Sequence, residues 1–235
     1  MKPTTNFPAS DVTTCYASLD LRLADCMDVM ATFADGHFDL AIVDPPYGID
    51  FASQPTRGTR KRGEKKRDWD KAIPENAYFT ELKRVSKRRI IWGGNYFSLP
   101  ATGGWLFWDK DRGKDLSFAD GELAWTDFLT TLKKVTVRYD GFIGADIERI
   151  HPTQKPVALY RWLLANYAKP GMRILDTHLG SGSHAIAAHY AGIHLTACEI
   201  DADYYEAAKA RIERETSQMD FLIPHNAVIV STSGE

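Results

Sequence analysis

Short apolar runs alternate with amphipathic stretches along this chain of 235 residues, and the alternation predicts strands followed by helices. The run at 38–43 is apolar almost throughout, as in a strand that is buried on both faces, and residues 89–92 form a similar run. Apolar positions recur at helical intervals at 27–33, after a strand-like stretch at 15–26, and again at 77–85. This part of the chain therefore predicts two pairs of a strand and a helix, followed by a further parallel strand.

The last third of the chain repeats the alternation more regularly. It predicts a helix, a strand, a helix, a strand and a helix, in that order, at 157–167, 172–175, 183–190, 194–198 and 203–215. Between the two regular parts, 105–109 is predicted as one more parallel strand and 135–139 as a strand near the sheet edge, whereas the rest of 116–150 has a mixed pattern. The alternation implies an α/β fold, with a mainly parallel, twisted sheet and helices on both faces.

Composition favours a single domain over 1–235. Hydrophobic residues make up 44% of the chain, which is enough for one sizeable core. The cysteines, Cys15, Cys26 and Cys198, show neither CxxC pairing nor metal-type spacing with histidine, so we expect no disulfide framework and no metal site. No apolar run approaches the roughly 20 residues that span a bilayer, and the first residues lack the apolar core of a signal peptide. We expect a cytoplasmic protein without membrane contact.

The formal net charge is -2, but basic residues are concentrated in one segment. Residues 48–70 are rich in glycine, arginine and lysine and have few aliphatic side chains, which predicts a mobile basic loop that orders on a partner. Between positions 57 and 67 of this loop, the single acid Glu64 stands among seven basic residues: Arg57, Arg60, Lys61, Arg62, Lys65, Lys66 and Arg67. Their local balance of +6 departs from the chain as a whole and suits an anionic partner.

The strand predicted at 38–43 ends in the tetrapeptide Asp44-Pro45-Pro46-Tyr47. This tetrapeptide places a carboxylate, two rigid prolines and an aromatic ring at the carboxyl end of a strand, where open α/β sheets bind ligands. The prolines fix the backbone and supply no N–H donors. Taken alone, the tetrapeptide could also be a strand that ends in a diproline turn, so its interpretation depends on a second half-site.

A glycine loop after the strand predicted at 172–175 supplies that second half-site. The loop reads Asp-Thr-His-Leu-Gly-Ser-Gly-Ser from Asp176 to Ser183, and its glycines let a backbone approach a ligand closely. Glu199 ends the next predicted strand, 23 positions after Asp176. An acid at about this distance typically binds ribose hydroxyls. The two half-sites together predict one position for a reacting group and one for a nucleotide-like cofactor.

The tetrapeptide, the segment His-Pro-Thr-Gln-Lys-Pro at 151–156 and the glycine loop occur in an order that resembles one family. In the permuted, class β DNA amino-methyltransferases, which use S-adenosylmethionine, the catalytic tetrapeptide likewise precedes the cofactor loop. The resemblance covers about 15–50 and 150–212. It implies a Rossmann-like methyltransferase fold with permuted motif order and double-stranded DNA as the partner. A homodimer is common in that family, and composition does not decide it here.

The resemblance assigns roles to the catalytic tetrapeptide. Asp44 and the carbonyl of Pro45 would accept the two hydrogens of a base amino group, whose lone pair is otherwise delocalised into the ring. Pro46 completes the rigid turn, and Tyr47 would stack on a base that has been removed from the duplex.

The resemblance also implies a set of cofactor-binding residues. In that family, Asp176, Gly180 and Gly182 would line the methionine and ribose part of the cofactor, and Glu199 would bind the ribose. By position, Thr153 and Lys155 would lie near the methionine carboxylate, and Asp25 near the adenine. The full set is Asp25, Cys26, Thr153, Lys155, Asp176, His178, Leu179, Gly180, Ser181, Gly182 and Glu199.

His178 departs from the family pattern, which usually has Asp-Pro-Phe where this chain has Asp-Thr-His. An ionisable ring replaces an apolar one, so we expect either weaker or pH-dependent cofactor binding, or an imidazole that packs as a flat ring. His184 and His189 lie on or beside a predicted helix at no ligand spacing, and we expect them to be structural. We expect most tryptophans to be core residues, namely Trp69, Trp92, Trp105, Trp108 and Trp125.

The sequence therefore predicts a DNA methyltransferase that transfers a methyl group to N6 of a flipped adenine, with the basic run on DNA phosphates and 110–150 as a recognition insertion. Aspartate at the first position of the tetrapeptide favours adenine through the resemblance alone. The alternatives are N4-cytosine methylation and a non-catalytic DNA-binding protein with the same fold. A protein glutamine methyltransferase is disfavoured because its tetrapeptide begins with asparagine and follows its cofactor loop. One chain does not distinguish a restriction-linked, phage or stand-alone role.

Overall fold

The computed structural model describes residues 18–49, 70–111, 119–139 and 150–217, and within them the chain forms one sheet with helices on both faces. The strands are β1 Leu19–Leu23, β2 Leu40–Val43, β3 Arg89–Trp92, β4 Trp105–Asp109, β5 Gly121–Thr126, β6 Lys133–Thr136, β7 Arg173–Asp176 and β8 His194–Glu199. The α-helices are α1 Cys26–Ala31, α2 Asn76–Val85, α3 Val157–Tyr167, α4 Ser183–Ala191 and α5 Ala202–Ser217.

The eight strands lie in the order β1-β8-β7-β2-β3-β5-β4-β6. All neighbouring pairs are parallel except the two that involve β5, which runs antiparallel to β3 and to β4. The predicted mainly parallel α/β sheet is therefore confirmed.

The core has two parts because successive side chains of a central strand point to opposite faces of the sheet. In β2, Leu40 and Ile42 belong to the cluster packed against α3, α4 and α5, whereas Ala41 and Val43 belong to the cluster packed against α1 and α2. All four residues of β2 are buried, which explains the unbroken apolar run in the sequence. In α2, the buried residues Tyr78, Leu82 and Val85 recur at helical spacing and face the sheet.

Most elements lie where the sequence predicts them, with ends displaced by at most four residues. The predicted edge strand at 135–139 is β6, at the far edge of the sheet, and it covers Lys133–Thr136. Strand β5, Gly121–Thr126, was not predicted, because the pattern of 116–150 is mixed. Strand β5 lies between β3 and β4 and forms hydrogen bonds with both. This position depends on segments elsewhere in the chain, so the local pattern of apolar residues does not predict it.

Two predicted insertions fall partly outside the described residues. Of the basic loop at 48–70, residues 50–69, and with them all seven basic side chains and Trp69, lie outside. Of the predicted recognition insertion at 110–150, residues 112–118 and 140–149 lie outside, whereas β5 and β6 are strands of the main sheet. The role of 110–150 as a recognition insertion stays a prediction.

Over the described ranges, no helix is both long and apolar enough to cross a membrane, and no cluster of three or more potential metal ligands is present. Of the five tryptophans expected to be mostly core residues, three are buried: Trp92, Trp108 and Trp125.

The chain leaves β2 toward β3 on one side of the sheet and leaves β7 toward β8 on the other. Because β2 and β7 are neighbours, the two connections diverge from the gap between them. This divergence is a topological switch point, and open α/β sheets bind ligands outside the carboxyl ends of the strands at such a point. Asp44 follows β2 there, and Asp176 ends β7.

Candidate functional site

The tetrapeptide after β2 is held by hydrogen bonds at both ends. The Tyr47 hydroxyl donates to Asp44 Oδ1 at 2.6 Å, so the aromatic ring is anchored on the carboxylate of its own motif. The backbone N–H groups of Tyr47 and Gly48 donate to Asp70 Oδ1 at 2.9 and 3.2 Å. Asp70 is buried and fixes the exit of the turn, and nothing in the sequence pattern had pointed to it.

The second oxygen of Asp44 accepts a hydrogen bond from Lys155. The Lys155 Nζ atom lies 2.6 Å from Asp44 Oδ2 and 3.0 Å from Glu122 Oε2, and its side chain is 3% exposed. Glu122 Oε1 in turn contacts Lys110 Nζ at 2.5 Å. These contacts form a partly buried charge chain, in which carboxylates alternate with ammonium groups. Its members are Asp44, Lys155, Glu122 and Lys110.

Burial and neighbouring charges act against each other in this charge chain. Burial raises the pKa of Asp44, and the Glu122 carboxylate adds to the effect, although Lys155 and the Tyr47 hydroxyl oppose it. Burial also raises the pKa of Glu122, but the ammonium groups of Lys155 and Lys110 outweigh burial and hold that pKa at about 2. For Lys155, burial lowers the pKa, and the two carboxylates more than reverse this, so the pKa is raised. Lys155 is therefore a permanent cation beside the motif carboxylate.

Two cavities meet at this charge chain. The first, of about 540 Å³, is bounded by the glycine loop, and the second, of about 330 Å³, is bounded by the tetrapeptide and β5. Five residues contribute to the walls of both: Asp44, Pro46, Thr153, Gln154 and Lys155. Both volumes fall within the roughly 300–1,000 Å³ of small-ligand sites. The arrangement can hold two ligands whose reacting atoms face each other at Asp44.

The Tyr47 ring is packed on one side by another aromatic ring. Tyr96 stacks on it with centroids 5.0 Å apart and an interplanar angle of 13°, and a Cβ atom at Gly93 would lie 2.1 Å from Tyr47 Cε1. Tyr96 lines the second cavity and is 46% exposed. The second cavity therefore presents two aromatic rings, Tyr47 and Tyr96, on which a flat ligand could stack. The sequence analysis had indicated only Tyr47.

In the glycine loop, the geometry fits the close backbone approach that the sequence predicts. Glu199 Oε2 accepts the N–H of Gly180 at 3.0 Å, which ties the end of β8 to the loop. Gly182 precedes α4 with φ of +76°, and a Cβ atom there would lie 2.9 Å from Ile212 of α5. From the same helix, the buried Arg211 donates to the Ser181 carbonyl at 2.9 Å and to the Ser183 hydroxyl at 3.0 Å. Helix α5 thus sets the shape of the loop.

His178 packs as a neutral ring. Burial lowers its pKa to about 4, and the nearby Asp176 and Asp25 only partly compensate. The ring meets Tyr78 edge-to-face at 5.8 Å, and Nδ1 lies 2.9 Å from the Thr177 hydroxyl. Of the two expectations for His178, the structure supports the flat packed ring, which is uncharged near neutral pH.

The predicted cofactor-binding residues divide into two groups. Seven line the first cavity: Thr153, Lys155, His178, Leu179, Gly180, Ser181 and Glu199. Four lie outside its wall: Asp25, Cys26, Asp176 and Gly182. Asp25 caps α1 by accepting the Met27 N–H at 2.7 Å, and Asp176 is 2% exposed behind the loop. All four tetrapeptide residues line the second cavity.

Sequence reasoning missed Glu122, Lys110, Tyr96 and His184 as wall residues of the two cavities. Glu122 lies on β5, the strand that was not predicted, opposite Trp108 of β4. Lys110 directly follows β4, and its place at a strand's carboxyl end was the one signal that could have indicated it. His184 was expected to be structural, yet it is one of the residues that line the first cavity, whereas His189 on the same helix is not.

Comparison with known proteins agrees with the geometry, because the family and the relatives that match this chain are methylases. Residues 91–210, about half of the chain, match the N6/N4 methyltransferase family model, which is described as DNA methylase. YubD of Escherichia coli (strain K12), which is named as a methylase, is 25% identical over 209 residues, covering 80% of this chain and 87% of that protein. The type II methyltransferase M.HpaI of Haemophilus parainfluenzae is 33% identical over 70 residues, covering 30% of this chain and 22% of that protein.

Solved structures share the fold. The complex of M1.HpyAVI with SAM has a TM-score of 0.55 at 17% identity, covering 83% of this chain and 100% of that chain. The PvuII DNA methyltransferase, which is cytosine-N4-specific, has a TM-score of 0.55 at 13% identity, covering 87% and 92%. At these identities the likeness establishes a common architecture.

Proposed function

Because the chain belongs to the N6/N4 DNA methylase family, we propose that it transfers the methyl group of S-adenosylmethionine to N6 of an adenine extruded from DNA. The observation that carries this proposal is the meeting of two cavities at Asp44, the first residue of Asp-Pro-Pro-Tyr. Methyl transfer needs a cofactor and an amine on either side of one point, and the shared wall supplies that point.

The first cavity suits S-adenosylmethionine. Its volume of about 540 Å³ falls in the range of small-ligand sites, and its wall combines the glycine loop with Glu199 at the end of β8. Glu199 would hold the ribose, and Thr153 and the loop would hold the methionine part. When bound, the cofactor supplies a methyl group on a positively charged sulfur. Asp25 and Cys26 remain proposed neighbours of the adenine ring.

The second cavity suits a base that has left the duplex. Asp44 would accept one amino hydrogen and the Pro45 carbonyl the other, which draws the nitrogen lone pair out of conjugation with the ring. The base plane would stack on Tyr47 or on the exposed Tyr96. The positively charged ammonium of Lys155 lies beside Asp44 Oδ2. It therefore favours the ionised form of the Asp44 carboxylate, which accepts the amino hydrogen.

The basic run at 57–67 lies outside the described residues, and its role follows from its charge. We expect its seven basic side chains to contact DNA phosphates beside the second cavity. Neutralising phosphates releases counterions, so DNA affinity would fall steeply with added salt.

The proposed function is tested by incubating the purified protein with S-adenosylmethionine and unmethylated duplex DNA, followed by nucleoside digestion and mass spectrometry. Asp44→Asn removes the charge at constant size, and Asp28→Asn, on the exposed face of α1, is the matched control. N6-methyladenine from the wild type and the control, but not from Asp44→Asn, is the expected result.

The same assay separates the alternatives. N4-methylcytosine would keep the geometry and replace the base, since both bases carry an exocyclic amine beside a ring nitrogen. No methylated nucleoside across varied DNA sequences and salt concentrations, from a protein that binds DNA, would overturn the enzymatic proposal in favour of a non-catalytic DNA-binding protein.

A further inference from the structure

His184, on the first turn of α4, is a fully buried histidine that uses one ring nitrogen only. Its Nδ1 lies 2.9 Å from Asp176 Oδ2, its ring stacks on Tyr160 with centroids 4.7 Å apart, and it is 1% exposed. Its Nε2 atom is buried and has no hydrogen-bond partner among the residues that the structure describes. A buried polar atom without a partner is costly, and folded proteins rarely keep one without a reason.

The ring of His184 lies between Asp176 and the first cavity. Asp176 is 2% exposed and does not belong to the cavity wall, whereas His184 does. Both Asp176 oxygens are engaged, Oδ1 by the backbone N–H of His178 at 3.0 Å and Oδ2 by the His184 ring. His184 therefore links the buried Asp176 carboxylate to the cavity wall.

The shape of S-adenosylmethionine indicates which of its groups would lie near His184 in the first cavity. Its sulfur bears three arms: the methyl group, the adenosyl group and the amino-acid chain. In the proposed reaction the methyl group must face Asp44, and the ribose of the adenosyl group is assigned to Glu199. The amino-acid chain is assigned to Thr153 and the glycine loop, and directly after that loop α4 contributes the buried polar side chains Ser183 and His184 to the wall.

We propose that His184 binds the amino-acid group of S-adenosylmethionine through Nε2. This inference rests on the proposed function, because it takes the first cavity as the cofactor site. The Asp176 carboxylate can only accept a hydrogen bond, so it fixes the hydrogen of a neutral ring on Nδ1 and leaves a lone pair on Nε2. A lone pair is the complement of the α-ammonium of an amino acid. The stack on Tyr160 holds the ring in that orientation.

The experiment compares two ligands that differ in the amino-acid chain. S-adenosylhomocysteine carries the chain, and 5′-methylthioadenosine has the adenosyl group and sulfur without it. Calorimetry gives both affinities for the wild type, for His184→Asn and for His189→Asn. Asparagine at 184 keeps an N–H near the Nδ1 position for Asp176 and removes Nε2. His189 lies on the same helix outside the cavity wall, so the same substitution there controls for helix propensity.

His184→Asn is expected to weaken S-adenosylhomocysteine binding by about tenfold or more, which is the loss for one hydrogen bond to a charged group, and to leave 5′-methylthioadenosine binding unchanged. His189→Asn should change neither. Equal affinities of wild type and His184→Asn for both ligands, or an equal loss for both, would overturn the inference.

Two further results have defined meanings. A wild type that binds neither ligand would refute the proposed function itself, which is a different outcome from the loss of selectivity. If His184→Asn does not fold, the ratio of the two affinities is measured for His184→Phe, whose ring can still stack on Tyr160. A wild-type ratio in that variant would again overturn the inference, and a ratio shifted toward 5′-methylthioadenosine would support it.

Discussion

The Lys155 Nζ atom lies 2.6 Å from Asp44 Oδ2, so a lysine 111 positions further along the chain sits on the first carboxylate of the tetrapeptide. The same ammonium reaches Glu122 at 3.0 Å and lies 5.4 Å from the centroid of the Trp92 ring. The resemblance had placed Lys155 near the methionine carboxylate of the cofactor, and that contact stays a prediction. The observed contacts give Lys155 a second task, which is to compensate two partly buried carboxylates at the junction of the cavities.

Replacing Lys155 by methionine should disable and destabilise the protein. The substitution keeps the length of the side chain but leaves Asp44 and Glu122 facing each other without the ammonium between them. Breaking a buried ion pair in this way costs about 3–5 kcal/mol, so we expect a loss of stability of that order in urea denaturation. We also expect the methylation rate to fall at least about a hundredfold, because a carboxylate without its cation takes up a proton more readily.

Lys209→Met is the control for this substitution, since Lys209 lies on the exposed side of α5. It should leave both stability and rate near the wild-type values. A Lys155→Met protein as stable and as active as this control would show that the ammonium has no role at Asp44.

The methylation rate should decline at low pH because Asp44 becomes protonated. The ionised carboxylate is a much stronger acceptor of an amino hydrogen than the protonated acid, and burial together with Glu122 raises the pKa of Asp44 above its usual 3.8. The rate is then at its maximum above this raised pKa and falls as the pH drops through it. Single-turnover rates with saturating cofactor and DNA, measured across pH, give the position of the decline.

Glu122→Gln provides the directional test of this assignment. Its carboxylate raises the pKa of Asp44, so its neutralisation should move the acid decline to lower pH. Glu206→Gln, on the exposed surface of α5, should leave the profile in place. A decline that moves to higher pH in Glu122→Gln, or does not move, would contradict the assignment to Asp44.

His178 should make the fold less stable in mild acid. Burial lowers its pKa from 6.5 to about 4, so between these values the unfolded chain binds a proton that the folded protein refuses. Stability from this source is fully present above pH 6.5 and is lost as the pH falls toward 4. At about 1.4 kcal/mol per pKa unit, and because the ring keeps some exposure, we expect an effect of about 1–3 kcal/mol.

The measurement is urea denaturation of the wild type and of His178→Phe at pH 7.5 and pH 5. The difference in unfolding free energy between the two pH values should be smaller in the variant by that amount. Glu122 contributes little to the comparison, since its own stabilising effect is lost only as the pH falls from 4.5 toward 2. An identical pH dependence in both proteins would mean that folding does not lower the pKa of the His178 ring.

Gly93→Ala should displace the Tyr47 ring. The new Cβ atom would lie 2.1 Å from Tyr47 Cε1, and φ at Gly93 is +66°, which an alanine adopts with strain. Gly171→Ala is the matched control, because Gly171 has φ of +82° and nothing within 4 Å of the added atom. Backbone strain alone should cost both variants about 1 kcal/mol. Only Gly93→Ala should also lose methylation activity, by about tenfold or more. Equal activities in the two variants would show that the position of Tyr47 is not critical.

The regular parts of the fold could be predicted because their signals are local. A parallel strand that is buried on both faces needs an unbroken apolar run, and a helix on the sheet needs apolar positions at helical spacing, so β2, β7, β8, α2 and α3 were visible in the sequence. Strand β5 was not visible, because its residues alternate imperfectly and its antiparallel pairing depends on β3 and β4. Because β5 was not predicted, Glu122 on this strand was not recognised as a residue of the site.

The sequence by itself determined the mainly parallel α/β class, the tetrapeptide at a strand end, and the glycine loop with its acid 23 positions on, because these features are patterns of neighbouring residues. Only the tertiary structure decided which distant charges meet. It brought Lys155 and Glu122 to Asp44, kept the His178 ring neutral and placed His184 in a cavity wall. The physical reason is that burial and pairing of charges arise from contacts between segments far apart in the chain, which no local periodicity records.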